Sequence, residues 1–430
     1  MTEPQPTEHR RPVPRDRRRL LRAAITALAV TLVLTALVWP QLPFRSEDTS
    51  WYLMLARGDA QAVPDPFAGR LVHTSLAGSL ASAGLDLEWA FVAVAAVSVW
   101  LALLVVLLLH RRAGLPTGLS VAVVATWFTA DLVRDASLPD ASAAAWLAVM
   151  LLVLALARRR PAWLLLVIVP ALLCRESLAL FTAVVALLAW WRGARALAVG
   201  VVLVTGAGLL LASHLSAAAN VHGMEGPLYI ALKFGFNLSR NLLGCELWVP
   251  TIEYCEPVRT WTLPAWAPTG AVREVGVCGW NPQRPLWLLV AATGNFGVVP
   301  AWLWARRRAV RAAWPTAPLW LQAALAYGLV ALVIAPAAGT VLPRMVGYAW
   351  PAFWLATPVL AGLPSRTDGP WRRLALGHAG AAWLAPLLAE WRPESTPVLL
   401  VAALLGVGLN VWATRLTTAA GRRVDVPGID

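Results

Sequence analysis

The chain has 430 residues, 59% of them hydrophobic and only 14% charged, with a formal net charge of +13. A mean hydropathy of +0.63 excludes an ordinary soluble globule and points to a polytopic membrane protein. The positive charge would suggest nucleic acid in a soluble protein. Here it sits in short Arg clusters between apolar runs, as the positive-inside rule expects.

Residues 1–19 form a Pro- and Arg-rich tail of the kind that stays disordered. The apolar run Leu20–Trp39 follows. It lacks the small-residue cleavage site of a signal peptide and reads as an uncleaved first helix. Further spans are expected at about Glu88–Leu109, Gly118–Val133, Ala141–Ala157, Ala162–Cys174, Ser177–Trp191, Arg195–His214, Leu286–Ala305, Pro318–Ala338, Val346–Leu363, Leu374–Glu390 and Pro397–Thr414, about twelve in all. Nothing alternates with period two, which argues against a barrel. Backbone groups in lipid must be satisfied internally. The expected fold class is therefore all-α, a transmembrane helical bundle over 20–414 with a second tail at 415–430. The basic connections place both termini on the cytoplasmic side.

Ala162–Trp191 is short for two full crossings. It reads as a re-entrant-like hairpin of two short helices with Arg175 and Glu176 at its tip. Two outer loops are long, about 40–87 and 216–285, and loops of such length are usually functional or disordered. All four cysteines fall on the outer side: Cys174 at the hairpin tip, and Cys245, Cys255 and Cys278 in the second loop. An oxidising compartment permits bridges, and the local pair Cys245–Cys255 is the first choice.

The first outer loop opens with "FRSEDTSWYLMLARG", which holds the adjacent acids Glu47 and Asp48. Ser46, Asp48 or Thr49 can cap an interfacial helix running to about Arg57, with Gly58 as its stop. Two readings of the acids follow. They form a cap favoured by the helix dipole, or a carboxylate stands at the mouth of a cavity facing a substrate headgroup. A second interfacial helix is expected at about Ala68–Ala83, with Arg70, His73 and Thr74 on one face. Acids and a basic-polar stripe on consecutive interfacial helices suit an anionic lipid-linked substrate.

More charged residues fall on the same level: Arg134, Asp135 and Asp140 between the third and fourth spans, the Arg175–Glu176 tip, and Arg344 at the outer start of a late span. Ionisable residues near the bilayer interior tend to face a cavity or each other. Arg175 and Glu176 read equally as a mutual ion pair, and Arg344 as an arginine snorkelling to lipid phosphate. Asn295 and His378 lie within spans, where interhelical hydrogen bonding is the favoured role. No P-loop, HExxH, paired CxxC or GxSxG motif is present.

The spacing "ED-x3-Y" from Glu47-Asp48 to Tyr52, just after the first span, resembles the GT-C superfamily of polytopic membrane glycosyltransferases. "FAGRLVHTSLAGSL", "PALLCRESLALF" and "LPRMVGYAWPAFWL" resemble further pieces of that pattern. The resemblance implies transfer of a sugar from a polyprenyl-phosphate-linked donor on the outer face of the plasma membrane. It implies Asp48 as general base, Glu47 as a second active-site acid, and Arg70, Arg175 and Arg344 around the donor phosphate. Tyr52, His73, Arg134, Asp140 and Glu176 complete the expected substrate-binding set. The partners implied are the lipid-linked donor and membrane lipids, with no nucleic acid. No cofactor is named, and the need for a divalent cation stays open. The Glu-Asp order, the absence of WWDxG and the Cys-bearing loop depart from the family pattern.

Rival readings are a lipid-linked glycan flippase or transporter, a ligase using His214, His222, Arg240 and Arg259, and a non-catalytic GT-C-like protein. A carrier predicts two six-span halves and short outer loops, whereas this long outer loop follows the seventh span. A ligase predicts that the 216–285 loop lines the site.

Overall fold

Apolar runs bounded by Arg or capping residues fold as helices because only internal hydrogen bonds satisfy a backbone in hydrocarbon. The computed structural model describes residues 15–43, 48–63, 67–156, 163–217, 227–248, 255–264, 274–339, 341–361 and 370–421. Among these, five helices are long and apolar enough to cross a membrane: Arg17–Gln41, Leu87–Arg112, Arg195–Ser216, Leu319–Ala338 and Thr396–Thr417. Leu87–Arg112 and Leu319–Ala338 are each 61% buried over their most apolar window and lie at the centre. The other three are peripheral and turn Leu32, Leu203, Leu210 and Leu404 outward. Faces of this kind are at no disadvantage against lipid tails, which are as apolar as leucine.

The helix Leu87–Arg112 starts at Asp86, whose carboxylate accepts from the N–H groups of Glu88 and Trp89 at 3.0 and 3.2 Å. It packs along Asp140–Leu156, which buries Ala141, Ala144, Ala148 and Leu151 at helical spacing. Small side chains let two helix backbones approach closely.

Several expected spans are present as shorter or interrupted helices. Gly118–Val133 divides into Thr117–Val124 and Trp127–Arg134. The carbonyls freed at the break accept hydrogen bonds from the Thr129 hydroxyl and, at 2.9 Å, from the Trp383 indole. Leu286–Ala305 bends by 84° between Gln283–Phe296 and Val299–Ala305. Gly297 stands at the bend with φ +53°, and an added Cβ would lie 2.3 Å from His378 Nδ1. Val346–Leu363 contains the wide turn Pro351–Ala356, and Leu374–Glu390 contains Gly380–Leu384. Each wide turn adjoins a proline, Pro351 or Pro386, whose missing N–H interrupts the regular ladder. The hairpin is two short helices, Trp163–Cys174 and Ala179–Trp191, joined through a tight turn at Glu176–Leu178.

The segment between Arg195–Ala217 and Gln283–Phe296 departs from a purely helical fold. It holds a three-stranded antiparallel sheet of β1 (Cys245–Trp248), β2 (Arg259–Thr262) and β3 (Glu274–Trp280), in the order β1-β3-β2. This order corrects the expected Cys245–Cys255 bridge. β3 lies between the strand that carries Cys245 and the strand that follows Cys255, and the disulfide is Cys255–Cys278, with Cys245 free.

Candidate functional site

The short helix after Arg17–Gln41 runs Thr49–Ala56, with Gly58 at φ +91° as its stop. Asp48 occupies the N-cap position, yet its side chain makes no capping hydrogen bond. The reading of this acid as a cap therefore fails. Its Oδ2 instead lies 3.7 Å from Arg344 Nη1, and Arg344 Nε lies 3.9 Å from Asp140 Oδ2. Glu47 lies outside the described residues.

Four elements meet here. Asp140 begins the helix Asp140–Leu156 and is 3% exposed. Arg175 donates to its Oδ1, as does the Tyr348 hydroxyl, and the Arg175 guanidinium sits 4.7 Å from the centre of the Tyr348 ring. A buried carboxylate needs such partners. Arg344 is in Leu342–Gly347, and that helix is held from its other side by Asn295, whose Nδ2 donates to Pro343 O at 2.7 Å.

Behind this chain stands a second pair. Arg70 precedes the helix Leu71–Ser82 and reaches Glu176 with two N–H groups, Nε to Oε2 at 3.0 Å and Nη2 to Oε1 at 2.5 Å. Its Nη1 donates to the Tyr52 hydroxyl at 2.6 Å, and Phe67 lies 5.1 Å below. Burial would raise the Glu176 carboxyl, but Arg70 holds it below its ordinary value. Arg175 and Glu176 thus do not pair with each other; each reaches a different element.

Arg134 forms a third centre. It lies 3.0 Å from Asp131, 3.6 Å from Asp135 and 3.0 Å from Glu390. Burial pushes the Asp135 carboxyl up. Asp131, Arg134, Asp135, Asp140 and Arg344, with Phe128, Leu132, Val341 and Pro343 as apolar walls, line a small cleft of about 40 Å³. Among the described residues, no group of three His, Cys, Asp or Glu side chains could hold a metal ion.

The structure brings Asp48, Asp140, Arg175 and Arg344 into one network, and Tyr52, Arg70 and Glu176 into a second group of three. His73 lies outside this network. The ring is fully buried, with Nδ1 2.8 Å from the Ser142 hydroxyl and Nε2 3.0 Å from Ala136 O. Burial lowers its pKa to about 4. Arg344 lies near the two aspartates, at 3.7 Å from Asp48 and 3.9 Å from Asp140. Three residues went unread in the sequence: Tyr348, Asp131 and Glu390. Tyr348 lies four residues after Arg344 and Asp131 three before Arg134, spacings that share one helix face.

The residues of the ligase reading are placed differently. Arg240 is buried 3.6 Å from Glu246, Arg259 is exposed on β2 beside Trp261, and His214 is exposed near the end of Arg195–Ala217; His222 lies outside the described residues. No family model, no curated protein and no solved structure matches the chain.

Proposed function

We propose that the chain is a membrane glycosyltransferase of the GT-C type, moving a sugar from a polyprenyl-phosphate-linked donor to an acceptor hydroxyl on the outer face of the plasma membrane. The supporting observation is the Asp48–Arg344 pair: a carboxylate that caps nothing stands 3.7 Å from an arginine that lines a small cleft. In this reading Asp48 takes the acceptor hydroxyl proton as the oxygen attacks the anomeric carbon. The bond from that carbon to the phosphate oxygen breaks. The polyprenyl phosphate leaves with its new charge facing Arg344, and Arg175 stands behind. Asp140 holds Arg175 and draws Arg344 toward the cleft.

The companion proposal is a bundle of about twelve full or partial crossings with both ends cytoplasmic. Helix ends rich in arginine agree with it. Arg111 donates to Arg19 O at 2.5 Å, and Arg192 donates to Ala317 O at 3.0 Å.

The test is transfer in proteoliposomes supplied with a polyprenyl-phosphate sugar pool and read as release of polyprenyl phosphate. Asp48→Asn should lower the rate by at least about 100-fold with unchanged elution and thermal unfolding. An Asp48→Asn protein that turns over like the wild type refutes the assignment of the base.

A further inference from the structure

The arginines of the site differ in how fully they are occupied. Arg70 donates to both oxygens of Glu176 and to Tyr52. Arg175 donates to Asp140 and stacks on Tyr348. Arg134 has three carboxylates around it. Arg344 alone of these four makes no hydrogen bond with its acidic neighbours. Its contacts at 3.7 and 3.9 Å are well beyond the roughly 2.7–2.9 Å of a charge-assisted bond. Its Nε is buried without a hydrogen-bond partner.

The two neighbours are not equivalent. Asp140 is 4% exposed at its side chain and already bonded through Oδ1 to Arg175 and Tyr348. Asp48 is 31% exposed at its side chain and does not cap its helix. Asp48 is therefore the partner that can leave.

We propose that Asp48 is the resident counter-ion of Arg344, and that the phosphate of a polyprenyl phosphate lipid displaces it. This rests on the glycosyltransferase reading and deepens it. The phosphodiester of the lipid-linked donor brings two free acceptor oxygens, and the polyprenyl phosphate monoester left after transfer brings three; either can meet the guanidinium at ordinary hydrogen-bond length, which Asp48 does not. Arg344 already stands between two carboxylates, so a phosphate adds a third anion and turns away the more exposed and less bonded of them, Asp48. The freed carboxylate then faces the acceptor. Donor binding thereby precedes productive engagement of the acceptor hydroxyl.

The consequence runs against the usual effect of removing a site residue: neutralising Asp48 should strengthen lipid binding. The test is equilibrium binding of polyprenyl monophosphate to the full chain in micelles, with uncharged polyprenol and inorganic phosphate as comparison probes. Asp48→Asn should bind the lipid phosphate about five- to tenfold tighter, a gain in the range of one competing ion pair. Asp48→Glu should stay near wild type. Arg344→Gln should bind at least about tenfold more weakly, and adding Asp48→Asn to it should bring no gain. Arg344→Lys, which keeps the charge, should retain the gain and serves if the Gln variant does not fold.

Equal or weaker binding by Asp48→Asn overturns the exchange. So does the same gain in the Arg344→Gln background, which would mean only a change in overall field. Inorganic phosphate binding as tightly as the lipid overturns the lipid assignment. A wild type that does not distinguish polyprenyl phosphate from polyprenol refutes the glycosyltransferase reading itself.

Discussion

The Arg70–Glu176 pair ties the start of the helix Leu71–Ser82 to the tip of the short hairpin, two segments more than a hundred positions apart. At the 2.5 Å contact and an effective dielectric constant of about 20, the attraction is roughly 6–7 kcal/mol. The Glu176 side chain is 35% exposed and that of Arg70 only 10%, so solvent screens one end and not the other. A glutamine would keep one hydrogen bond. Glu176→Gln should therefore cost about 2–3 kcal/mol, chiefly by leaving a buried guanidinium short of charge. In a double-mutant cycle with Arg70→Met, the coupling should be of that same size. The assay is denaturation in mixed micelles followed by tryptophan fluorescence. Because Arg70 depresses the folded-state Glu176 pKa, the coupling is present above the unfolded carboxyl value and is lost as pH falls through the folded one. A coupling below about 0.5 kcal/mol at neutral pH would place this pair with ordinary surface ion pairs and refute the reasoning.

Three further outcomes follow from the structure. Cys278→Ser opens a bridge of sequence separation 23 and should cost the three-stranded sheet about 3 kcal/mol on the chain-entropy model, read as faster proteolysis of the 216–285 loop. His73 is held neutral with a pKa of about 4, so between that value and its unfolded one the unfolded chain binds more protons. Stability should rise with pH across that window by up to ~3 kcal/mol, and His73→Gln should flatten the rise. Cys245 is free and half-buried, and a membrane-impermeant maleimide should label it on intact cells. Labelling only after permeabilisation would reverse the proposed orientation.

The sequence was most legible where one physical rule dominated. Long apolar runs gave the central helices, and the helix Thr49–Ala56 ended at its glycine as expected. The broken spans were less legible because hydropathy is blind to backbone breaks. Nothing apolar about Gly297 distinguishes a straight helix from the 84° bend that His378 packs against. The disulfide was misread because sequence proximity stood in for strand order, and β3 lies between the nearer cysteines. Within the site, Asp48, Arg175 and Arg344 were readable as costly charges beside a membrane. Which carboxylate meets which arginine was not readable. Arg175 and Glu176 are adjacent in the chain, yet a tight turn sends one to Asp140 and the other to Arg70. The face His73 shares with Arg70 packs into the protein, where Ser142 and Ala136 take both ring nitrogens.

The most direct measurement is a structure of the full chain in a lipid bilayer with polyprenyl phosphate bound. The account predicts the phosphate within hydrogen-bond distance of Arg344, the prenyl chain leaving toward lipid, and Asp48 turned from the arginine toward the cleft. A phosphate held elsewhere, beside Arg240 and the three-stranded sheet for example, with Asp48 still facing Arg344, would contradict it.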